Sequence, residues 1–174
     1  AKRASAEYGV LVESPADVVI ASAAPRDYDL WQSFKSIVNT CWAVRPNGVL
    51  IVLARCPGGA NMPTRALPVS PHWVRRFIRL VGADALANLT TRLVPSLAGD
   101  AAFFARLAMR ILERNAILMV SPRLAEDGVK LVGLPLLADP ARAVGMAEKM
   151  LGSGPKRVIV FPAGGVSYPI LSPR

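Results

Sequence analysis

A chain of 174 residues is long enough for one well-packed domain, or for one domain with a helical elaboration. Its apolar fraction of 52% and mean hydropathy of +0.36 exclude a disordered chain, and no apolar run reaches the length of a membrane span. The net charge of +9, dominated by arginine, suits nucleic acid, an anionic substrate or an acidic partner without choosing among them. Two cysteines, Cys41 and Cys56, do not make a disulfide framework. One histidine, His72, excludes an internal catalytic histidine pair and leaves little scope for an imidazole-rich metal site. No basic-then-apolar signal segment opens the chain, so the expected setting is the cytoplasm, with no membrane partner.

The first strand is expected at Asp17–Ala23, whose apolar and small residues suit a strand covered on both faces. Pro25 bars helix at Ala24, and either Asp27 or Asp29 can cap the helix that follows. That helix, Asp29–Val44, carries Leu30, Phe34, Ile37, Val38 and Cys41 on one stripe. Pro46-Asn47-Gly48 then reads as a turn into a second strand, Val49–Ala54. A Pro-rich connection (Pro57, Pro63, Pro68, Pro71) leads to three helices. The first starts at the Ser70-Pro71 cap, the second covers Ala83–Leu93, and the third runs from Asp100 to Arg114 with Phe104, Leu107, Ala108 and Ile111 inward. Strands follow at Ala116–Val120 and Val129–Val132. A helix capped by Asp139-Pro140 and ending near Gly152 precedes the last strand, Arg157–Phe161. Strands alternating with helices imply crossovers. The expected fold is a single α/β domain over 1–174: a three-layer α-β-α sandwich with a mainly parallel, Rossmann-like sheet of about five strands and an enlarged helical crossover.

Three strands end in Gly- or Pro-rich turns: Ala23-Ala24-Pro25, Cys56-Pro57-Gly58-Gly59 and Pro162-Ala163-Gly164-Gly165. At one edge of a parallel sheet such turns let backbone approach a ligand closely, although turns use these residues for their own sake too. Neither Gly-Gly pair is a GxGxxG fingerprint, there is no phosphate-binding GxxxxGK[ST] loop, and no CxxC zinc spacing is present. Gln32 and Lys35 share a helix face, with Asn39 beyond them and Trp31 one turn before Lys35. Lysine can neutralise a carboxylate as a point charge while glutamine orients it; a solvated helix face is the bland alternative. Arg75, Arg76 and Arg79 form one basic side and Arg106, Arg110 and Arg114 another. Both read as solvated faces or as contacts with a missing domain. With aromatics at 6%, nucleic acid is not the expected partner. His72, beside Trp73 in a first helical turn, reads as a surface or capping residue.

The segment PRDYDLWQSFK, Pro25 to Lys35, resembles the P-x-D-x-x-x-x-Q-x-x-K signature of the nickel-dependent lactate racemase family, in its carboxyl-terminal domain. The similarity continues through RPNGVLIVLARCPGG, ARLAMRILERNAILMVSP, RVIVFPAGG and SYP, covering nearly the whole chain from Tyr8. The resemblance implies a 2-hydroxy-acid racemase or epimerase that uses a nickel-pincer nucleotide to take hydride from the substrate and return it. The cofactor and the catalytic histidines belong to an amino-terminal domain that this sequence does not include. The chain would be the substrate-closing domain, inactive alone, its partners a small 2-hydroxy acid and that amino-terminal domain. By the same resemblance Lys35 and Gln32 are the catalytic residues, and Trp31, Asp27 and Phe103 line the substrate pocket. Trp31 stands where the family commonly has Tyr, and Phe103, by a looser alignment, where the lactate enzyme has Trp; both suit an acid other than lactate. The competing reading is a non-catalytic basic α/β module that binds nucleic acid or an anionic partner.

Overall fold

The computed structural model describes residues 6–61, 70–93, 100–131 and 133–172. In chain order its strands are β1 (Gly9–Val12), β2 (Ala16–Ser22), β3 (Val44–Leu53), β4 (Ala116–Val120), β5 (Leu136–Leu137), β6 (Val158–Phe161) and β7 (Tyr168–Leu171). The helices are α1 (Leu30–Thr40), α2 (Pro71–Val81), α3 (Ala83–Leu93), α4 (Asp100–Arg114), α5 (Pro122–Glu126) and α6 (Pro140–Leu151). Five strands form one parallel sheet in the order β5-β4-β3-β2-β6, and β1 pairs with β7 in a second, two-stranded parallel sheet.

The central strands β3 and β4 are nearly continuous apolar runs because both their faces are covered. One face carries Val19, Leu50, Val52 and Met119 against Ile37 of α1, Ile78 of α2 and Ile111 of α4. The other carries Val18, Ile51, Leu118 and Val120 against Ala143 and Ala147 of α6. The result is a three-layer α/β sandwich. The chain moves outward from β2 to β5, and α6 then returns it to β6 on the far side of β2. The order therefore reverses between β2 and β6, the position in open α/β sheets where a crevice opens at the carboxyl edge.

The structure corrects the sequence reading in several places. Val129–Val132 is not a sheet strand. Gly128 (φ 66°) and Val129 close α5 instead, donating to Ala125 O at 3.2 Å and Leu124 O at 3.0 Å, the bond pair that ends a helix at a left-handed glycine. Leu131 makes only an isolated bridge to Leu134, Val132 lies outside the described residues, and the fourth sheet strand is Leu136–Leu137. α5 itself starts at Ser121-Pro122, the same cap chemistry as Ser70-Pro71 and Asp139-Pro140.

The first helix stops at Thr40, a 3-10 turn covers Cys41–Ala43, and β3 begins at Val44. Pro46-Asn47-Gly48 is then a bulge within β3, between the pairs Ala16↔Val44 and Val18↔Val49, with Asn47 at φ 65°. On α4, Ile111 and Leu112 are buried while Ala108 is exposed; the Phe104 side chain lies outside the described residues. Most of the Pro-rich connection, 62–69, lies outside them too.

The arginines expected to form solvated faces are largely engaged within the chain. Arg75 donates to Leu112 O at 3.0 Å and Arg114 O at 3.4 Å, and Arg79 to Glu113 O at 2.9 Å, so α2 closes the carbonyl end of α4. Burial pushes the Arg75 guanidinium down to about 10. Arg110 and Arg106 pair with Asp84 of α3, and Arg114 reaches Val44 O at 3.2 Å. Arg75→Ala is expected to cost about 1–2 kcal/mol, read as a lower midpoint in urea, because it strips donors from half-buried carbonyls. Among the described residues no helix is long and apolar enough to cross a membrane.

Candidate functional site at the carboxyl edge

At the carboxyl edge of β2 the chain turns through a cis Ala24–Pro25 bond into α1. Asp29 caps the helix, its Oδ1 accepting from Gln32 N at 2.7 Å and its Oδ2 from Asn61 Nδ2 at 2.9 Å. Ser33, Ser36 and Thr40 face the sheet, yet each hydroxyl donates to a carbonyl of its own helix, so no polar cost is left on the buried side. Gln32, Lys35 and Asn39 lie on the side of α1 turned away from that buried face. Lys35 Nζ donates to Gln32 Oε1 at 2.7 Å, and Asn39 Nδ2 donates to Gly164 O at 3.1 Å. Trp31, one turn before Lys35, is half exposed.

Asp27 has a different surrounding. It is only 3% exposed, and Arg55, which follows β3, holds it in a two-point ion pair through Nε to Oδ2 at 2.7 Å and Nη2 to Oδ1 at 2.9 Å. The Arg55 guanidinium holds the Asp27 carboxyl below the usual carboxylate range, against the effect of burial. The pair ties two loops together. Cys56 N donates to Asp27 O, Gly58 N to Tyr28 O and Leu30 N to Gly59 O, so the segment after β3 runs alongside the turn before α1. Sequence reasoning had not singled out Arg55, although its place at the end of the strand beside β2 was a usable signal.

Glycine at this edge serves close approach of the chain to itself. The Tyr28 ring lies on Gly58, so a side chain there would have to push the exposed ring aside. Gly165 N donates to Ala24 O at 3.2 Å, and a Cβ on Gly165 would run into the Ala23 and Ala24 carbonyls. Gly165→Ala is therefore expected to destabilise the fold by about 1–2 kcal/mol through overpacking, seen as a lower thermal midpoint.

Gln32 and Lys35 are thus brought into contact, while Asp27 is turned into the body of the domain and Phe103 stands exposed in the first turn of a separate helix, α4. His72 is exposed at the start of α2 with its ring edge against Trp73. Both thiols are buried. Burial pushes Cys41 up to about 11 and also raises Cys56, which keeps them protonated and unreactive at neutral pH. No group of three or more His, Cys, Asp or Glu able to hold a metal ion exists among the described residues.

No protein-family model matches the chain, and no curated protein matches it. Among solved structures it is similar to the lactate racemase apoprotein from Thermoanaerobacterium thermosaccharolyticum, with a TM-score of 0.65 and 20% identity over 97% of this chain. The chain spans 39% of that solved chain's length. The likeness shows a shared fold.

Proposed function

We propose that this chain is the substrate-closing domain of a 2-hydroxy-acid racemase or epimerase, inactive by itself and working with an amino-terminal domain that carries a nickel-pincer nucleotide. The observation that carries this reading is the exposed Gln32–Lys35 pair on the first two turns of α1, standing where the P-x-D-x-x-x-x-Q-x-x-K pattern falls on a fold shared with a lactate racemase. The donor groups of this chain do not fit the nickel group: the thiols are buried and protonated, and the one histidine stands apart on α2. No step through that group is assigned to this chain.

The chain's own part is recognition. Lys35 Nζ now donates to the neutral Gln32 Oε1. A substrate carboxylate is the stronger acceptor and displaces it, gaining a charge-assisted bond and freeing the Gln32 amide to orient the substrate. The amino-terminal end of α1 adds positive potential on the same side. Trp31 beside Lys35, where the family commonly has Tyr, and Phe103 on α4 favour a larger or different 2-hydroxy acid than lactate. The test is to follow interconversion of the enantiomers of a panel of 2-hydroxy acids by the cofactor-loaded protein that contains this chain. Turnover of an acid other than lactate is expected. Lactate racemised as fast as the others would overturn that preference, and no interconversion across the panel would overturn the function.

A further inference from the structure

The cations of this chain are placed differently on the two edges of the main sheet. At the carboxyl edge arginine meets carboxylate: Arg55 pairs with Asp27 and Arg123 with Asp127. At the amino edge, where the parallel strands begin, cations form a row. Lys156 and Arg157 lead into β6, Arg45 stands at the start of β3, and Arg114 ends α4 just before β4. Asp17 links the row, accepting from Arg157 N at 2.8 Å and from Arg45 Nε at 2.7 Å. α2 lays Arg79 over its far end, where the guanidinium donates to Asn47 of the β3 bulge and to Glu113 O. Arg45 pairs with Asp17 and Arg157 with Glu13, but Lys156, Arg79 and Arg114 donate to the main-chain oxygens of Ser153, Glu113 and Val44. The carboxylates along the row are Glu13, Asp17 and Glu113, and Glu148 and Lys149, of opposite charge, line a hollow beside Lys156. Aromatics are few in this chain, yet one stands among these arginines. Trp42, in the 3-10 turn before β3, is 49% exposed and carries the Arg114 guanidinium 5.9 Å from its ring centroid. The turns that build this edge, 13–17, 41–48, 113–116 and 153–158, all lie within the described residues.

We propose that the amino edge of the sheet is a binding surface for single-stranded nucleic acid, held through its phosphates and without regard to sequence. The role proposed for the carboxyl edge lies on the opposite side of the sheet and is independent of this one. From β6 to β4 the row crosses three strand spacings, roughly 14 Å, and Arg79 extends it, which suits a short run of extended backbone. Asp17 does not repel a phosphate strongly, because both its oxygens are already engaged. A guanidinium has five N–H donors, so Arg79 and Arg114 can take a phosphate while keeping their bonds to main-chain oxygen. Burial, and then the neighbouring Arg79, push the Arg75 guanidinium down to about 10, so like charge is already crowded at this end and a bound anion relieves it. Trp42 decides among the anions. Its indole offers a stacking surface to a base, which a duplex keeps inside its own stack and an acidic peptide does not have.

Fluorescence anisotropy of a labelled single-stranded oligo-dT, titrated with the chain at several salt concentrations, tests this. A Kd of about 10–100 µM near 0.1 M salt is expected, with affinity falling as roughly the second to third power of salt for about three to four phosphates engaged. Lys156→Gln and Arg79→Gln are each expected to lower that power by about 0.7. Trp42→Ala is expected to weaken binding about tenfold and leave the salt dependence alone. Arg123→Gln removes the same charge from the carboxyl edge and is expected to change neither. Circular dichroism checks that each variant is folded, and Lys156→Gln carries the test by itself if Arg79→Gln loosens α2 from α4. The proposal is overturned by the absence of binding, by Arg123→Gln weakening binding as much as Lys156→Gln, or by full affinity in Trp42→Ala. It is equally overturned if a duplex binds as tightly as the single strand, or if poly-glutamate competes as well as unlabelled oligo-dT.

Discussion

Arg55→Ala is expected to destabilise the fold, read as a lower midpoint in urea, although the Arg55 side chain is itself 79% exposed. The cost falls on the residue left behind. Asp27 stays buried and loses both bonds of its ion pair, so a carboxylate with only main-chain N–H support, that of residue 55 at 3.4 Å, remains under the turn into α1. Asp27→Asn is expected to cost less, about 1 kcal/mol, because it removes the buried charge and leaves Arg55 in water. The two variants also separate by pH. In the native protein the Asp27 pKa is depressed, so its contribution is complete above the unfolded value of about 3.9 and is lost as pH falls through the folded value. Without the Arg55 side chain, burial pushes the folded pKa up against only the main-chain N–H donors of residues 55 and 27, so the penalty is greatest at neutral pH and shrinks as the carboxyl protonates. Urea unfolding at pH 7 and near pH 4 checks this: the gap between native protein and Arg55→Ala should narrow on acidification. A constant gap would mean that the ion pair does not govern the turn.

Lys35→Ala, in the complete cofactor-loaded protein, is expected to lower kcat/KM by about 10- to 100-fold, since a charge-assisted bond to a carboxylate is worth about 1.5–3 kcal/mol. Stability should change little, because Lys35 is exposed and donates to Gln32, a half-buried side chain of the same helix. Lys35→Arg keeps the charge but replaces the compact ammonium by a larger planar guanidinium, and should recover part of the loss. Gln32→Ala should cost about tenfold or less, as befits a neutral orienting group. Full activity in Lys35→Ala would remove Lys35 from the substrate and with it the main support for the proposed role.

The strands at β2, β3, β4 and β6 were legible because each is an apolar run closed by Pro, Gly or Ser, and burial on both faces of a parallel sheet demands such runs. β5 was not, because two leucines carry no periodicity and the more apolar Val129 segment is drawn into closing α5. β1 and β7 escaped for a different reason: each is short, and they pair across almost the whole chain, which no local pattern encodes. At the carboxyl edge, the shared face of Gln32 and Lys35 follows from helical spacing alone. The pairing of Asp27 with Arg55 does not, since it depends on two strands lying side by side. The bulge in β3 likewise needed its partner strand: Pro46-Asn47-Gly48 has turn chemistry, and only the register with β2 shows that the strand carries on through it.

The closure of α4 by arginines bears on how such a chain would be sorted by charge. Arg75, Arg79 and Arg114 all donate to main-chain carbonyls, which carry no net charge. An arginine held by a carboxylate is cancelled at a distance, whereas one held by a carbonyl keeps its whole positive field. The fold thus accumulates part of its +9 while tying helix to helix and helix to strand. Part of the strongly basic isoelectric point here therefore records how the helices are tied together.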